Sequence, residues 1–227
     1  MRHLVLVIAF LGAGLQAADA ADSPAQMVVG ERSIEELLRI PDTLKPGRYS
    51  VHCGVKVGTS GWTLFVRCYS MTDSAPDELQ TAVMHATRTS LFVPATRDGK
   101  PVDVFVMLAV TVDTTLGEPL ILAVLNNGAD AARYGLLYTA PQRYGSSHIN
   151  LASLPARATP RTAVVWMKLQ IDAQGVMTDC TLTNESGAPD WWVKAVRAAA
   201  KKMTFIPGHH DGKAAPMLYV QPMLWNY

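Results

Sequence analysis

Few residues of this 227-residue chain carry side chains suited to chemistry, and they are scattered. His209, His210 and Asp211 form the densest polar group, and two histidines with a carboxylate are zinc-ligand types. Neighbours in an extended chain point to opposite faces, however, so both imidazoles reach one ion only awkwardly. No second cluster at ligand spacing accompanies them. Ser146, Ser147 and His148 place hydroxyls beside a base. They lack the Gly-x-Ser-x-Gly frame that exposes a nucleophilic serine on a strained turn. Cys180 lies in an alternating apolar stretch, which predicts a buried free thiol rather than a reactive one. A Gly-rich phosphate loop, a Walker-type lysine and paired catalytic carboxylates are all missing from the sequence. These residues predict a protein that is not an enzyme and holds no cofactor or metal. An envelope hydrolase or metal protein using His209 and His210 is the rival from another class.

The other cysteines have a structural reading. Cys53 and Cys68 lie on either side of Gly58-Thr59-Ser60-Gly61, whose midpoint nearly coincides with theirs, so a hairpin sets them opposite one another. In an oxidising compartment that pair is the expected disulfide. Such a compartment is indicated by the start of the chain. Arg2 and His3, the apolar run Leu4 to Leu15 and Ala18-Asp19-Ala20 are the three parts of an export signal. Cleavage after Ala20 leaves 207 residues (227 minus 20), room for one large domain or two of about 100. An uncleaved anchor is the alternative, although the run is shorter than the roughly 20 apolar residues of a span. The net charge of +1 and the lack of a basic stripe give no support for nucleic-acid binding.

The elements that position these residues occur twice. Phe92-Val93-Pro94 and Asp98-Gly99-Lys100 precede Phe205-Ile206-Pro207 and Asp211-Gly212-Lys213 by 113 positions (205 minus 92). Ala75-Pro76-Asp77 and Ala82-Val83 precede Ala188-Pro189-Asp190 and Ala195-Val196 in the same register. An internal repeat built to one plan follows. The expected order begins with a signal at 1–20, then a loose leader and a short helix at 21–46. In that helix Ser33 is the N-cap and Glu36 its capping-box partner. The first repeat occupies 47–128, with strands at Val51 to Val57 and Trp62 to Tyr69, a helix from Asp77 to Arg88, and strands at Val102 to Val112 and Pro119 to Leu125. A connection at 129–160, with short helices near Ala129 to Gly135 and Ile149 to Leu154, leads to the second repeat at 161–227. There Val165, Met167, Leu169 and Ile171 alternate with polar residues, and Asp172 to Gly175 turn the chain. On the return strand Val176, Thr178, Cys180 and Leu182 share the inner face. Trp192, Ala195, Val196, Ala199 and Met203 make a helical stripe, and Ala214 to Trp225 is the closing strand. The fold class is α+β, each unit a small antiparallel sheet with a helix packed on one face.

The second repeat resembles the C-terminal domain of TonB energy transducers. The resemblance rests on Val165 to Asp179, with Ile171-Asp172 before Gly175 and Thr178-Asp179 after it. Ser186-Gly187, the Ala195-Val196 pair, and Phe205-x-Pro207 followed by Asp211-Gly212-Lys213 complete it. It covers about Thr162 to Trp225, and the first repeat, which lacks the Ile-Asp-x-x-Gly turn, is similar in degenerate form. Met203, and Ser90 in the first copy, stand where the family usually has an aromatic residue. The long Pro-rich spacer of a working transducer is not evident. The resemblance implies two tandem TonB-C-like units in a periplasmic or envelope setting. It implies a module that binds an envelope protein or peptide, such as a segment of an outer-membrane transporter, by strand addition. The edge it points to is Met217, Leu218, Tyr219 and Val220, flanked by Pro216 and Pro222. Trp166, Trp191 and Trp225 add contact surface or serve in packing. The rival within this resemblance is a true energy transducer for outer-membrane transport, held by residues 4–15 in the inner membrane.

Overall fold

The computed structural model describes residues 22–70, 75–115, 117–145, 163–183 and 187–225. It is an α+β arrangement with few helices, and its strands pair antiparallel in several small sheets. The segment expected to be a loose leader is tied down. Strand β1 (Gln26–Met27) pairs with β4 (Phe92–Val93), Ser23 bridges to Thr96, and Ala25 is fully buried. Helix α1 (Ile34–Leu37) follows, with the Ser33 hydroxyl accepting the Glu36 N–H at 3.3 Å as the capping pattern requires.

Alternation then builds the first sheet. Strands β2 (Arg48–Val57) and β3 (Thr63–Tyr69) form the expected hairpin, with Cys53 opposite Cys68 and their sulfurs joined in a disulfide. Val51, Cys53, Val55 and Val57 all turn to the buried face. Helix α2 (Asp77–Thr89) covers that face with Leu79, Val83 and Ala86. After β4 come the short hairpin of β5 (Ala95–Arg97) and β6 (Lys100–Val102), then β7 (Val104–Asp113), which lies along the other side of β2. Strand β8 (Leu120–Val124) pairs with the last part of β7. Helix α3 (Ala131–Tyr134) and β9 (Gln142–Tyr144) follow, and β9 pairs with the first part of β7.

The same order returns in β10 (Ala163–Ile171), β11 (Met177–Thr183), α4 (Asp190–Ala200), β12 (Thr204–Ile206), β13 (Gly208–His210), β14 (Lys213–Ala215) and β15 (Met217–Trp225). The sheet order β11-β10-β15 matches β3-β2-β7, and a bulge falls at Gln170/Ile171 as at Lys56/Val57. The Asp-Gly turns match as well. Asp98 and Gly99 have φ of 48° and 72°, and Asp211 and Gly212 have 51° and 72°. Two successive positive φ values make the type I′ turn that a two-residue hairpin prefers and that Asp-Gly supplies. These residues therefore shape the β5–β6 and β13–β14 hairpins, which stand just before the closing strands.

Strand β9 and the bridge Thr139↔His209 stand to β12 and β13 as β1 and the bridge Ser23↔Thr96 stand to β4 and β5. Part of the expected connection at 129–160 is thus the opening strand of the second run of elements. Gln142 joins the two openings, its buried amide donating to the Ala25 carbonyl at 2.8 Å and accepting the Ala25 N–H at 2.7 Å. Ile206 packs into the first core, while Val165, Met167, Leu169, Trp192, Val196 and Phe205 form the second. The bulge corrects the expected inner face of β11. Val176 and Thr178 are exposed, whereas Met177, Cys180 and Leu182 pack on the core. The expected helix at 149–154 and the ends of the expected connection at Pro155 and Pro160 lie outside the described residues, as does the signal.

Candidate functional site

The closing strand β15 pairs with β10 through its whole length, Met217 opposite Ile171 and Trp225 opposite Ala163. Its side chains divide by parity. Met217 and Tyr219 are buried, the first against Tyr138 and Ala140, the second edge-on to Phe205 with ring centroids 4.9 Å apart. Leu218 and Val220 are half-buried on the opposite face. Of the four residues expected to form a binding edge, Met217 and Tyr219 therefore contribute core side chains, and by strand parity their main-chain groups face β10 rather than the free edge. Pro222 lies inside β15, opposite Trp166, rather than at its end.

The free edge has its own hydrogen-bond pattern. Tyr134 donates its hydroxyl to the Pro216 carbonyl at 2.9 Å, the Asp130 carboxylate accepts the Leu218 N–H at 2.7 Å, and the Asn127 amide donates to the Val220 carbonyl at 2.9 Å. Alternate residues of a strand turn their N–H and C=O to the same side. Residues 216, 218 and 220 thus face away from β10 and are occupied by a clip of three side chains from 127–134. The clip is built from turn chemistry. Asn126 is buried, donates to the Leu136 and Tyr138 carbonyls and accepts the Gly128 N–H, which fixes the loop that carries Asn127 and Asp130. The sequence held no signal that the side chains of Asn127 and Asp130 reach 93 and 88 positions along the chain.

Beyond the clip, the same parity sends Pro222 and Leu224 outward. Pro222 has no N–H to leave unpaired, the usual position for proline in a sheet. Among the described residues no strand pairs with this part of the edge. The equivalent part of β7 is different, since Ala109, Thr111 and Asp113 take Val124, Leu122 and Leu120 of β8 as partners.

Two clefts flank the free edge, both between β15 and the face of the first sheet turned away from α2. One, of about 260 Å³, is lined by Phe65, Arg67, Phe105 and Met107 with Gln221 to Met223. The other, of about 290 Å³, is lined by His52, Asn127, Trp166 and Lys168 with Leu218 and Val220. Tyr69 borders both. Gly54 permits this shape, because a Cβ there would stand 2.7 Å from the Phe105 ring. Burial, aided by the nearby Tyr219, pushes the Tyr69 phenol up to about 12, and burial pushes Tyr219 likewise to about 12. Both are neutral hydroxyls at physiological pH. His52 stacks on Tyr69 at 6.1 Å, and burial lowers its pKa.

No protein-family model, no curated protein and no solved structure matches this chain. The site is therefore read from its own geometry. His209 and His210 are consecutive in β13. His209 pairs its backbone with Thr139, whereas the His210 ring lies 5.1 Å from Tyr134 and 3.6 Å from the Asp211 carboxylate. Among the described residues no three metal-ligating side chains converge, and no helix is long and apolar enough to cross a membrane. Cys180 is a free, half-buried thiol whose pKa burial raises, which disfavours the reactive thiolate. Ser146, Ser147 and His148 lie outside the described residues.

Asp130→Ala should expose the Leu218 amide. Loss of a hydrogen bond to a charged acceptor costs about 1.5–3 kcal/mol, and hydrogen exchange at Leu218 should accelerate at least tenfold relative to amides of β10. Unchanged exchange would mean that the clip does not close the edge in solution.

His52 supplies a pH dependence whose sign is fixed. With its folded pKa lowered, unfolded chains bind a proton that folded chains refuse once the pH falls below about 6.5. The stability is present above that pH and is lost as pH falls. His52→Gln should reduce the fall in melting temperature between pH 7 and pH 5. His209, shifted in the same direction by burial, keeps part of the slope, and an unaltered slope in the double variant would contradict both assignments.

Proposed function

We propose that this chain is an exported envelope protein of two tandem TonB-C-like units that acts without catalysis, binding a protein or peptide by strand addition to β15. One observation carries the reading: the edge of β15 at Pro222 and Leu224 has no strand beside it among the described residues, whereas β8 fills the same stretch of β7. Strand addition satisfies the unpaired main-chain groups of such an edge and reads alternate side chains of the incoming segment. The matching order of elements, the paired bulges and the two Asp-Gly turns support a common design for the two units. The disulfide supports an oxidising compartment.

The geometry narrows the receptive edge relative to Met217 to Val220. Tyr134, Asp130 and Asn127 hold positions 216, 218 and 220, so an incoming segment pairs from Pro222 toward the chain end. Leu224→Pro tests this, since it removes an outward N–H without touching a bond to β10. A protein recovered with wild-type chain from envelope extract, and identified by mass spectrometry, should be absent with the variant. Recovery of no protein, or of the same protein by both, counts against the reading. The mature protein should begin near Ala21 and fractionate as soluble periplasmic material.

A further inference from the structure

Among the described residues the two clefts contain cations and aromatic rings but no carboxylate. Arg67 lines the first and Lys168 the second, both exposed, and among the described residues neither has an ion-pair partner. The Asp130 carboxylate, at the clip, accepts the Leu218 N–H. Phe65 stands 53% exposed beside Arg67, an apolar ring left in contact with water. Tyr69 joins this cleft to the ring of Trp166 in the other.

We propose that the groove between β15 and the first sheet selects an acidic extended segment, a stretch of another protein that alternates apolar residues with carboxylates. This rests on strand addition at Pro222 and Leu224 and adds the chemistry of the partner. The segment lies antiparallel to β15, as β8 lies on β7. Its main chain bonds the outward groups of residues 222 and 224, its apolar side chains cover Phe65 and Phe105, and a carboxylate pairs with Arg67. The first unit thereby forms the second wall of the site. Its outer face recognises side chains, while β15 recognises the main chain. Charge complementarity of this kind governs selectivity and encounter rate more than total affinity, and it weakens with salt as a partly exposed pair must.

The experiment uses the full chain with three N-acetylated, C-amidated hexapeptides that alternate valine with glutamate, lysine or serine, titrated by NMR. The glutamate peptide should bind at least about tenfold tighter than the lysine peptide, the ratio expected of one attraction exchanged for one repulsion at a partly exposed pair. Arg67→Glu should abolish or invert that ratio, and Arg67→Gln should fall between, with the amide spectrum of each variant checking the fold. Leu224→Pro should abolish binding of every peptide. Equal binding of the three peptides, lost in Leu224→Pro, would overturn acidic selection and leave strand addition standing. Binding of no peptide, or binding indifferent to Leu224→Pro, would overturn both.

Discussion

Gly175→Ala should destabilise the protein by about 2–5 kcal/mol. Gly175 has φ of +79°, and a Cβ on it would run into the carbonyl oxygen of Phe205, a backbone atom that cannot swing aside. The left-handed conformation alone costs a non-glycine residue about 1–2 kcal/mol, and forcing extra volume into a packed site adds roughly 1–3 kcal/mol. Gly61 repeats the arrangement, with φ of +82° and the Phe92 carbonyl in the same place. Gly212 is the internal control, because its φ of +72° is similar but no atom lies within 4 Å of its Cβ position. Gly212→Ala should therefore cost only the conformational part. Urea denaturation of Gly175→Ala, Gly61→Ala and Gly212→Ala separates the contributions. Equal losses for Gly175→Ala and Gly212→Ala would show that the close approach of the hairpin turn to β12 is not a constraint on this fold.

Reduction of the Cys53–Cys68 bridge should lower stability by roughly 3 kcal/mol, the chain-entropy value for a loop of about 15 residues. The bridge spans 15 residues and ties β2 to β3 near the open end of their pairing. For a chain of this size the melting temperature should fall by roughly 6–12 °C. The variant with both Cys53→Ala and Cys68→Ala should melt near the reduced protein and be insensitive to reductant. Denatured, unreduced protein should present a single thiol, that of Cys180. Two or more would refute the pairing.

Much of this fold is legible from periodicity. Apolar residues at every second position define β2 and β10, because each has one face on a core, and the continuous apolar run of β7 marks a strand buried on both faces. The 3.6-residue spacing of Trp192, Val196 and Ala199 defines α4 for the same reason. The opening strands were not legible. β1 and β9 are two and three residues long, too short to carry an alternation, and each exists because a neighbouring edge has groups to pair. Nor did the alternation along β11 survive the bulge at Gln170/Ile171, which moved Val176 and Thr178 to the surface.

The candidate site divides along the same line. The sequence by itself determined the disulfide, the Asp-Gly turns and the internal register of 113 positions, while the choice of the last strand as an edge came from the resemblance alone. The first two depend on residues near one another in the chain, and the register on short motifs that recur at one fixed spacing. Only the tertiary structure decided which part of that edge is open. Asn127, Asp130 and Tyr134 close its first half, and Phe65, Arg67 and Phe105 face its second half across a cleft. Those contacts join segments about 80 to 160 positions apart, and no local propensity encodes them. They follow from how the two sheets pack, which places the polar turn at 127–134 and the aromatic face of the first sheet against the β15 backbone that no strand among the described residues pairs.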